Sequence, residues 1–259
     1  MLLDQLREVL FDVVDVAIRD KDSIAIAYSG GLDSSLLATI CKMKGTPVTL
    51  LTIGFPQSHD ICFSKLVASK LNLDHRIGVL GENDFYKNLR RVLKKVNCEN
   101  ISHVENCIAF FYITKLAQES GLKTLLSANG CDELFCGYDI YRKMFDVGRT
   151  RLMQLIEEKI LNEFKLLEDV DKTISDFGVN MGQPFLSNKL IAFSREIPIE
   201  EKILGSDDYL RKRILRKVAL LINIPNESAL KQKKALQYGT EIHKKVKKYL
   251  NNANSDQYQ

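Results

Sequence analysis

The chain has 259 residues, of which 45% are hydrophobic and 27% are charged, and this composition excludes a disordered or fibrous protein. It fits one large globular domain, or one domain with a small appendage. The formal net charge of +4 is too small to indicate a class of partner. The apolar runs are far shorter than the roughly 20 residues of a membrane helix, and no secretory signal is found, so we expect a cytoplasmic protein that does not contact membranes.

Strand and helix patterns alternate through the first half of the chain. Short, nearly continuous apolar runs predict strands covered on both faces, at residues 24–28, 47–53, 75–80 and 123–128. Between them, apolar residues at helical spacing predict helices at residues 34–44, 60–71 and 104–120. This alternation predicts an α/β fold with a doubly wound, mainly parallel sheet.

The second half of the chain has a different pattern. From Tyr138 onward strand patterns are absent, and helical spacing predicts helices at residues 151–167, 188–196, 209–221 and 241–250. We therefore expect an α/β domain at residues 1–145 and an all-helical C-terminal region at residues 146–259, packed over the site.

A glycine-rich segment joins the first predicted strand to the first predicted helix. Residues 29–35 read Ser-Gly-Gly-Leu-Asp-Ser-Ser. Two adjacent glycines let successive backbone N–H groups point into one concavity, where they can hold phosphate oxygens. The helix N-terminus adds a partial positive charge, and the Ser29 and Ser34 hydroxyl groups add donors. Asp33 would repel a bare phosphate but suits a magnesium ion bound to polyphosphate.

This segment differs from two familiar phosphate-binding motifs. No Lys-Ser or Lys-Thr pair follows the glycines, so it is not the loop of ATPases that cleave the β–γ bond, and it is not G-x-G-x-x-G. A tight turn in which Asp33 caps the helix is the alternative interpretation. The position at the carboxyl end of the first parallel strand favours nucleotide binding, because open α/β sheets bind ligands there.

An acidic segment follows the fourth predicted strand. Residues 125–138 read Leu-Leu-Ser-Ala-Asn-Gly-Cys-Asp-Glu-Leu-Phe-Cys-Gly-Tyr. Because parallel strands end at one edge of the sheet, Asp132 should lie near the glycine-rich segment. Asp33 and Asp132 are therefore predicted to share a Mg²⁺ ion bound to pyrophosphate. In the alternative interpretation, Asp132 and Glu133 only begin a surface helix.

Both segments carry a resemblance to known families. Residues 29–34 resemble the S-G-G-x-D-S loop of the ATP pyrophosphatases, or PP-loop proteins. Residues 125–138 resemble the G-E/D-G-x-D-E-L/V-F-G-G-Y motif in the synthetase domain of asparagine synthetases and their β-lactam-forming relatives. Four shorter matches follow the family order, at residues 52–56, 184–186, 215–217 and 231–239. The resemblance implies a sheet of the adenine nucleotide alpha-hydrolase (Rossmann-like) type, with ATP cleaved between its α and β phosphates.

The resemblance also implies ATP and Mg²⁺ as cofactors and assigns roles to single residues. The pyrophosphate portion would be held by Ser29, Gly30, Gly31, Asp33 and Ser34, with Asp33 and Asp132 on the metal. The backbone would recognise adenosine near Ala27, Ile53, Ser127 and Ala128. By the same resemblance, Lys233 would contact phosphate and stabilise the charge that develops as pyrophosphate departs.

The sequence departs from the family pattern in three respects. Asn129 stands where the family has a catalytic acidic residue, and an amide cannot take up a proton there. Ala128 replaces the first glycine, while Cys131 and Cys136 stand where small residues are usual. The chain begins at the synthetase domain, with no cysteine at position 2, so we expect that it does not hydrolyse glutamine itself.

The leading hypothesis is an AMP-forming ligase of the asparagine synthetase type. It would adenylate a small-molecule carboxylate, release pyrophosphate and let ammonia or an amine displace AMP, because an acyl adenylate is far easier to attack than a carboxylate. A separate glutaminase subunit is one source of the ammonia. We also expect a homo-oligomer.

Two alternatives stay open. An enzyme that thiolates tRNA would use Cys131 and Cys136, and residues 207–248, with twelve Lys or Arg against four Asp or Glu, would face the phosphate backbone. The six cysteines form no Cys-x-x-Cys pair, which disfavours both this reading and a zinc site, so nucleic acid is not the favoured partner. The other alternative is a nucleotide-binding subunit that has lost catalysis at Asn129.

Overall fold

A parallel sheet lies at the centre of the protein. The computed structural model describes residues 1–96, 100–232 and 234–255, with side chains through residue 252. Within these residues the strands are β1 Ile24–Ala27, β2 Val48–Gly54, β3 Asp74–Val79, β4 Thr124–Leu126 and β5 Asn180–Gly182. They pair in parallel, in the spatial order β3-β2-β1-β4-β5. The predicted α/β fold with a doubly wound parallel sheet is confirmed.

Helices account for most of the remaining chain. Within the described residues they are α1 Leu2–Ile18, α2 Leu32–Met43, α3 His59–Leu71, α4 Glu82–Lys95, α5 Ile101–Glu119, α6 Cys131–Leu134, α7 Asp139–Phe145, α8 Arg149–Ile174, α9 Asn188–Glu196, α10 Ile199–Lys202, α11 Arg213–Leu221, α12 Asn226–Ala229, α13 Leu236–Gly239 and α14 Ile242–Ser255. Short 3₁₀ segments lie at Ser175–Phe177 and Pro184–Leu186. No helix within the described ranges combines the length and the apolar character needed to cross a lipid bilayer.

The observed elements differ from the predicted ones in a few places. Helices α1 and α4 were not predicted, and the C-terminal region, expected to be all-helical, also contains β5. This edge strand, Asn-Met-Gly, is too short to show an apolar pattern. Helix α11 begins later than predicted because Arg211 and Lys212 have left-handed φ angles of 52° and 51°. These angles interrupt the right-handed backbone of a helix.

Successive side chains of the central strands enter two hydrophobic clusters. Ile24 and Ile26 of β1 join the cluster completed by α1 and α2, whereas Ala25 joins the cluster completed by α4 and α5. Strand side chains alternate between faces, and here both faces are covered, which explains the nearly continuous apolar runs. Leu37 and Leu152 lie in the same cluster, on either side of the predicted domain boundary at residue 145, which itself stays a prediction.

The strand order reverses beside β1. The chain proceeds from β1 through β2 to β3 and then returns to place β4 on the other side of β1. Ile26 of β1 pairs in register with Leu126 of β4, so the segments that follow these strands leave the sheet side by side. Ligands of open α/β sheets bind at such a reversal, at the carboxyl ends of the strands. The fold therefore brings the two predicted motifs to one edge.

We expect Leu36→Ala to lower the free energy of unfolding by about 2–5 kcal/mol, because Leu36 of α2 is fully buried in the first cluster. Leu66→Ala is the matched control on α3, where the leucine is 48% exposed. It should change the free energy of unfolding by less than about 0.5 kcal/mol. Urea denaturation measures both values, and equal losses would contradict the described packing of α2.

Candidate functional site

The glycine-rich loop turns sharply between β1 and α2. Gly30 has a φ of +76°, and a Cβ there would lie 2.9 Å from the Phe63 ring of α3, so only glycine fits. The Gly31 N–H donates to the Ser29 hydroxyl at 3.3 Å, and the Ser34 hydroxyl donates to the Gly31 carbonyl at 3.3 Å. These contacts hold both hydroxyl groups at the start of α2, where the helix dipole favours an anion.

The loop after β4 makes a second tight turn. Gly130 has a φ of +106°, and a Cβ there would lie 2.6 Å from the Phe185 carbonyl oxygen, so the backbone passes too close for a side chain. The Ser127 hydroxyl donates to Asn129 Oδ1 at 2.6 Å. The turn leads directly into α6, which carries Asp132 in its first turn.

The ammonium group of Lys212 lies between the two predicted carboxylates. Its Nζ is 2.5 Å from Asp33 Oδ2 and 2.6 Å from Asp132 Oδ1, and the lysine side chain is 3% exposed. The structure therefore brings Asp33 and Asp132 to one point, and places there a lysine that the sequence analysis did not assign. The role of the two aspartates as metal ligands stays a prediction.

A repeated tripeptide explains why Lys212 was missed. Leu-Arg-Lys occurs twice, at residues 210–212 and 215–217, and the family resemblance pointed to the second copy. Lys217 of that copy pairs at the surface with a glutamate and is 47% exposed. The site instead uses Lys212 from the first copy and Arg216 from the second. No local signal links these two residues, because Lys212 lies outside α11, which begins at Arg213 and contains Arg216.

Arg216 holds the segment that carries Lys212. Its Nε donates to the Arg211 carbonyl at 2.8 Å and to the Leu210 carbonyl at 3.1 Å. Its Nη1 donates to the Ala229 carbonyl at 2.5 Å. Left-handed angles at two successive non-glycine residues persist only where the surroundings enforce them. These hydrogen bonds provide that enforcement and so fix the position of the lysine.

The two aspartates fit a magnesium ion. Mg²⁺ binds one or two carboxylates and takes its remaining ligands from water and substrate phosphates. Asp33 Oδ1 is buried and accepts no hydrogen bond from a described residue, so an oxygen is left for a cation. Within the described ranges no three His, Cys, Asp or Glu side chains form a metal-binding group. An ion here would therefore depend on the nucleotide for part of its shell.

A glutamate from α8 faces the loop after β4. Asn129 Nδ2 donates to Glu163 Oε1 at 2.5 Å, and Glu163 lines the same cavity as the two aspartates. The sequence analysis gave Glu163 no role, because a single acidic residue in a helical pattern carries no local signal. The Glu163 carboxylate thus lies beside Asn129, the residue that stands where the family pattern has an acidic side chain.

Glu133 is a second buried glutamate at the site. Tyr138 Oη donates to Glu133 Oε1 at 2.5 Å. Burial, and after it the nearby Glu163 and Asp132 carboxylates, raise the pKa of Glu133 to about 8. Protonation of Glu133 would remove one negative charge from a crowded group of acids.

Three of the four residues predicted to lie near adenosine line one cavity, and the fourth does not. Ala27, Ser127 and Ala128 line a cavity of about 200 Å³ that also reaches both aspartates. Ile53 does not line this cavity, and its side chain is 2% exposed in the core of the protein. A backbone contact from Ile53 to adenosine stays a prediction.

A chain of three polar side chains lies on the other side of the glycine-rich loop. Lys231 Nζ is 2.9 Å from His59 Nε2, and His59 Nδ1 is 3.0 Å from Asp60 Oδ1. Burial lowers the pKa of Lys231 to about 8, and this lysine lines a small cavity together with the loop. Lys233 lies outside the described residues, so its contact with phosphate stays a prediction.

The two cysteines near the site are buried thiols. Cys131 and Cys136 are fully buried. Burial raises the pKa of Cys136 to about 12 and that of Cys131 well above its ordinary value. Because the thiolate is the reactive form in sulfur chemistry, these groups give no support to the thiolation alternative.

Comparison with known proteins matches this chain to one family. The sequence profile of the asparagine synthase family matches residues 5–152 and 146–258. A Methanocaldococcus jannaschii protein, provisionally named as a glutamine-hydrolysing asparagine synthetase, is 29% identical over 90% of this chain and 49% of its own length. The glutamine-hydrolysing asparagine synthetase B of Escherichia coli K12 is 23% identical over 91% of this chain and 45% of its own length. The chain thus spans about half the length of these relatives.

A solved structure shows a weaker similarity. The NH3-dependent NAD synthetase from Campylobacter jejuni aligns with a TM-score of 0.41 and 18% identity, over 76% of this chain and 98% of that one. This similarity is too low to support an argument. The family profile, in contrast, covers nearly all of the sequence, and the motifs that resemble the family meet at one edge of the sheet. The chain belongs to the asparagine synthase family, as an asparagine-synthetase-like synthetase domain.

Proposed function

We propose that this domain catalyses the ATP-dependent, AMP-forming amidation of a small-molecule carboxylate. The observation that carries the proposal is the convergence of Asp33 and Asp132 on one cation position beside the glycine-rich loop. Membership of the asparagine synthase family supports a ligase. Since the named relatives are asparagine synthetases, aspartate is the first carboxylate to test.

Binding of ATP would use both loops at the sheet edge. The triphosphate would lie against the glycine-rich loop and the N-terminus of α2, with adenosine beside Ala27 and Ser127. Asp33 and Asp132 would hold Mg²⁺, which would neutralise and orient the phosphates. The lysine ammonium and a metal ion cannot occupy one position, so Lys212 would exchange its carboxylate partners for phosphate oxygens. Lys231 would add positive charge near the departing pyrophosphate.

Two displacements would complete the reaction. A substrate carboxylate oxygen attacks the α phosphorus and pyrophosphate leaves, which gives an acyl adenylate. Ammonia then attacks the acyl carbon, AMP leaves with the bonding electrons, and the nitrogen loses a proton. Asn129 cannot accept that proton, but the Glu163 carboxylate beside it can, so Glu163 is assigned as the general base and Asn129 as the residue that orients it. With Glu163 as the base, Asn129 is no longer a reason to propose a nucleotide-binding subunit that has lost catalysis.

Exchange of labelled pyrophosphate into ATP tests the adenylation step. We expect exchange that requires Mg²⁺ and the correct carboxylate, and AMP formation when ammonia is added. Asp33→Asn and Asp132→Asn should each lower the exchange rate by about 10²-fold or more, because each removes a carboxylate that would hold the Mg²⁺ ion on the reacting phosphates. Asp146→Asn, at an exposed aspartate that follows α7, should leave it unchanged. Formation of ADP and phosphate instead of AMP and pyrophosphate would refute the proposal.

Lys212→Met tests the ion triad directly. Without the ammonium, two buried carboxylates face each other, and we expect a loss of about 3–5 kcal/mol in the free energy of unfolding. Added Mg²⁺ should restore more stability to the variant than to the unmodified protein, because the ion no longer competes with a lysine. Lys217→Met, at an exposed lysine of α11, which Lys212 directly precedes, is the control. Equal stability of the two variants without metal would show that the triad does not stabilise the fold.

Glu163→Gln separates the two half-reactions. The variant should retain pyrophosphate exchange, because Glu163 takes no part in adenylation. It should lose about 10²- to 10⁴-fold in amide formation, the usual effect of losing a general base. Glu168→Gln, at an exposed position of α8, should behave like the unmodified protein in both assays. A Glu163→Gln protein with full amidation activity would exclude Glu163 as the base.

A further inference from the structure

A separate cavity lies in the helical region. It encloses about 350 Å³ between α8, α9 and the segment that contains α10, and none of its lining residues lines the cavities beside the glycine-rich loop. This volume lies within the range of small-molecule sites, about 300–1,000 Å³. The cavity is therefore large enough for a ligand that the amidation reaction does not involve.

The cavity contains a buried lysine. Lys202, the last residue of α10, is 3% exposed and lines the cavity. Its Nζ makes no hydrogen bond and no ion pair within 4 Å to any described residue. Burial lowers the pKa of Lys202 to about 8. The side chain is thus almost wholly removed from water while its charge has no close counter-ion among the described residues, so an anion that entered the cavity would pair with it favourably.

The carboxylate that lines the cavity is already engaged. Arg195 Nε and Nη2 donate to Glu157 Oε1 and Oε2 at 2.9 and 2.7 Å, a bidentate pair at the exposed rim. Arg149 adds another positive charge to the lining. The cavity therefore has an excess of positive charge, and Lys202 is the least exposed of its three cations.

The remaining buried surface of the cavity is largely apolar. Ile156, Ile197 and Ile199 line it and are each at most 6% exposed, and Met153 lies at the rim. Such a surface favours a hydrocarbon group, because removing apolar area from water is favourable. One buried cation within an apolar lining suits a single carboxylate. A phosphate group would require several converging donors.

From this arrangement we propose that the cavity is a binding site for a monocarboxylate with a short aliphatic chain, whose carboxylate pairs with Lys202 and whose chain contacts the three isoleucines. The site is independent of the proposed amidation, since it shares no lining residue with the nucleotide cavity.

Calorimetric titration with hexanoate, hexan-1-ol and inorganic phosphate tests the proposal on the whole chain. The unmodified protein should bind hexanoate about tenfold more tightly than hexan-1-ol, the effect of one charge-assisted hydrogen bond, and should bind phosphate more weakly than hexanoate. Saturating ATP should leave the hexanoate affinity unchanged. Absence of hexanoate binding, equal affinity for the alcohol, binding of phosphate as tight as that of hexanoate, or competition with ATP would each overturn the proposal.

Lys202→Met supplies the matched test of the lysine. Replacing a buried charge by an apolar side chain of similar length is usually tolerated, so the variant should fold. It should lose the preference for hexanoate over the alcohol. Lys189→Met, at a lysine of α9 that is 57% exposed and pairs with Asp12, should keep it. If Lys202→Met still bound hexanoate more tightly than hexan-1-ol, the lysine would not be the carboxylate partner. If that variant does not fold, the affinities of the unmodified protein for the two ligands decide whether the cavity prefers a carboxylate.

Discussion

The contact of one buried ammonium with two largely buried carboxylates organises this site. Asp33 follows β1, Asp132 follows β4 and Lys212 precedes α11, so the triad ties the helical C-terminal region to the edge of the sheet. Removing one member would leave buried charge without a partner, which is why the surrounding backbone is so constrained. Gly137 illustrates this constraint, since a Cβ there would overlap both Asp132 and the Lys212 side chain.

The same charges set the protonation of the neighbouring acids. Asp132, Glu133 and Glu163 lie close enough for their charges to interact, and Lys212 pairs with Asp132. Burial, and after it the neighbouring Glu163 and Asp132 carboxylates, raises the pKa of Glu133, and a proton on this carboxyl group would reduce the repulsion among the rest. Arrival of a divalent ion would change this balance, so the proposed binding of a metal ion would be linked to the binding of protons at this site.

The contact between Asn129 and Glu163 changes how the main departure from the family pattern is understood. Read along the chain, Asn129 indicates a lost acidic group. In the folded protein, a carboxylate from α8 contacts that amide and faces the same cavity. The proposed proton acceptor therefore belongs to a helix of the C-terminal region and not to the loop after β4.

The sequence by itself determined the sheet and the location of the site. Apolar runs marked β1 to β4, and the adjacent glycines at 30 and 31 marked the tight turn between β1 and α2, because such features depend on neighbours along the chain. The three-residue β5 and the exact start of α11 could not be predicted, since each depends on contacts with distant segments. The tertiary structure alone decided that Lys212 joins Asp33 and Asp132, that Glu163 meets Asn129 and that Lys202 is buried beside an apolar cavity. These residues are far apart in sequence, and only the folding of the chain determines which charges share one low-dielectric volume.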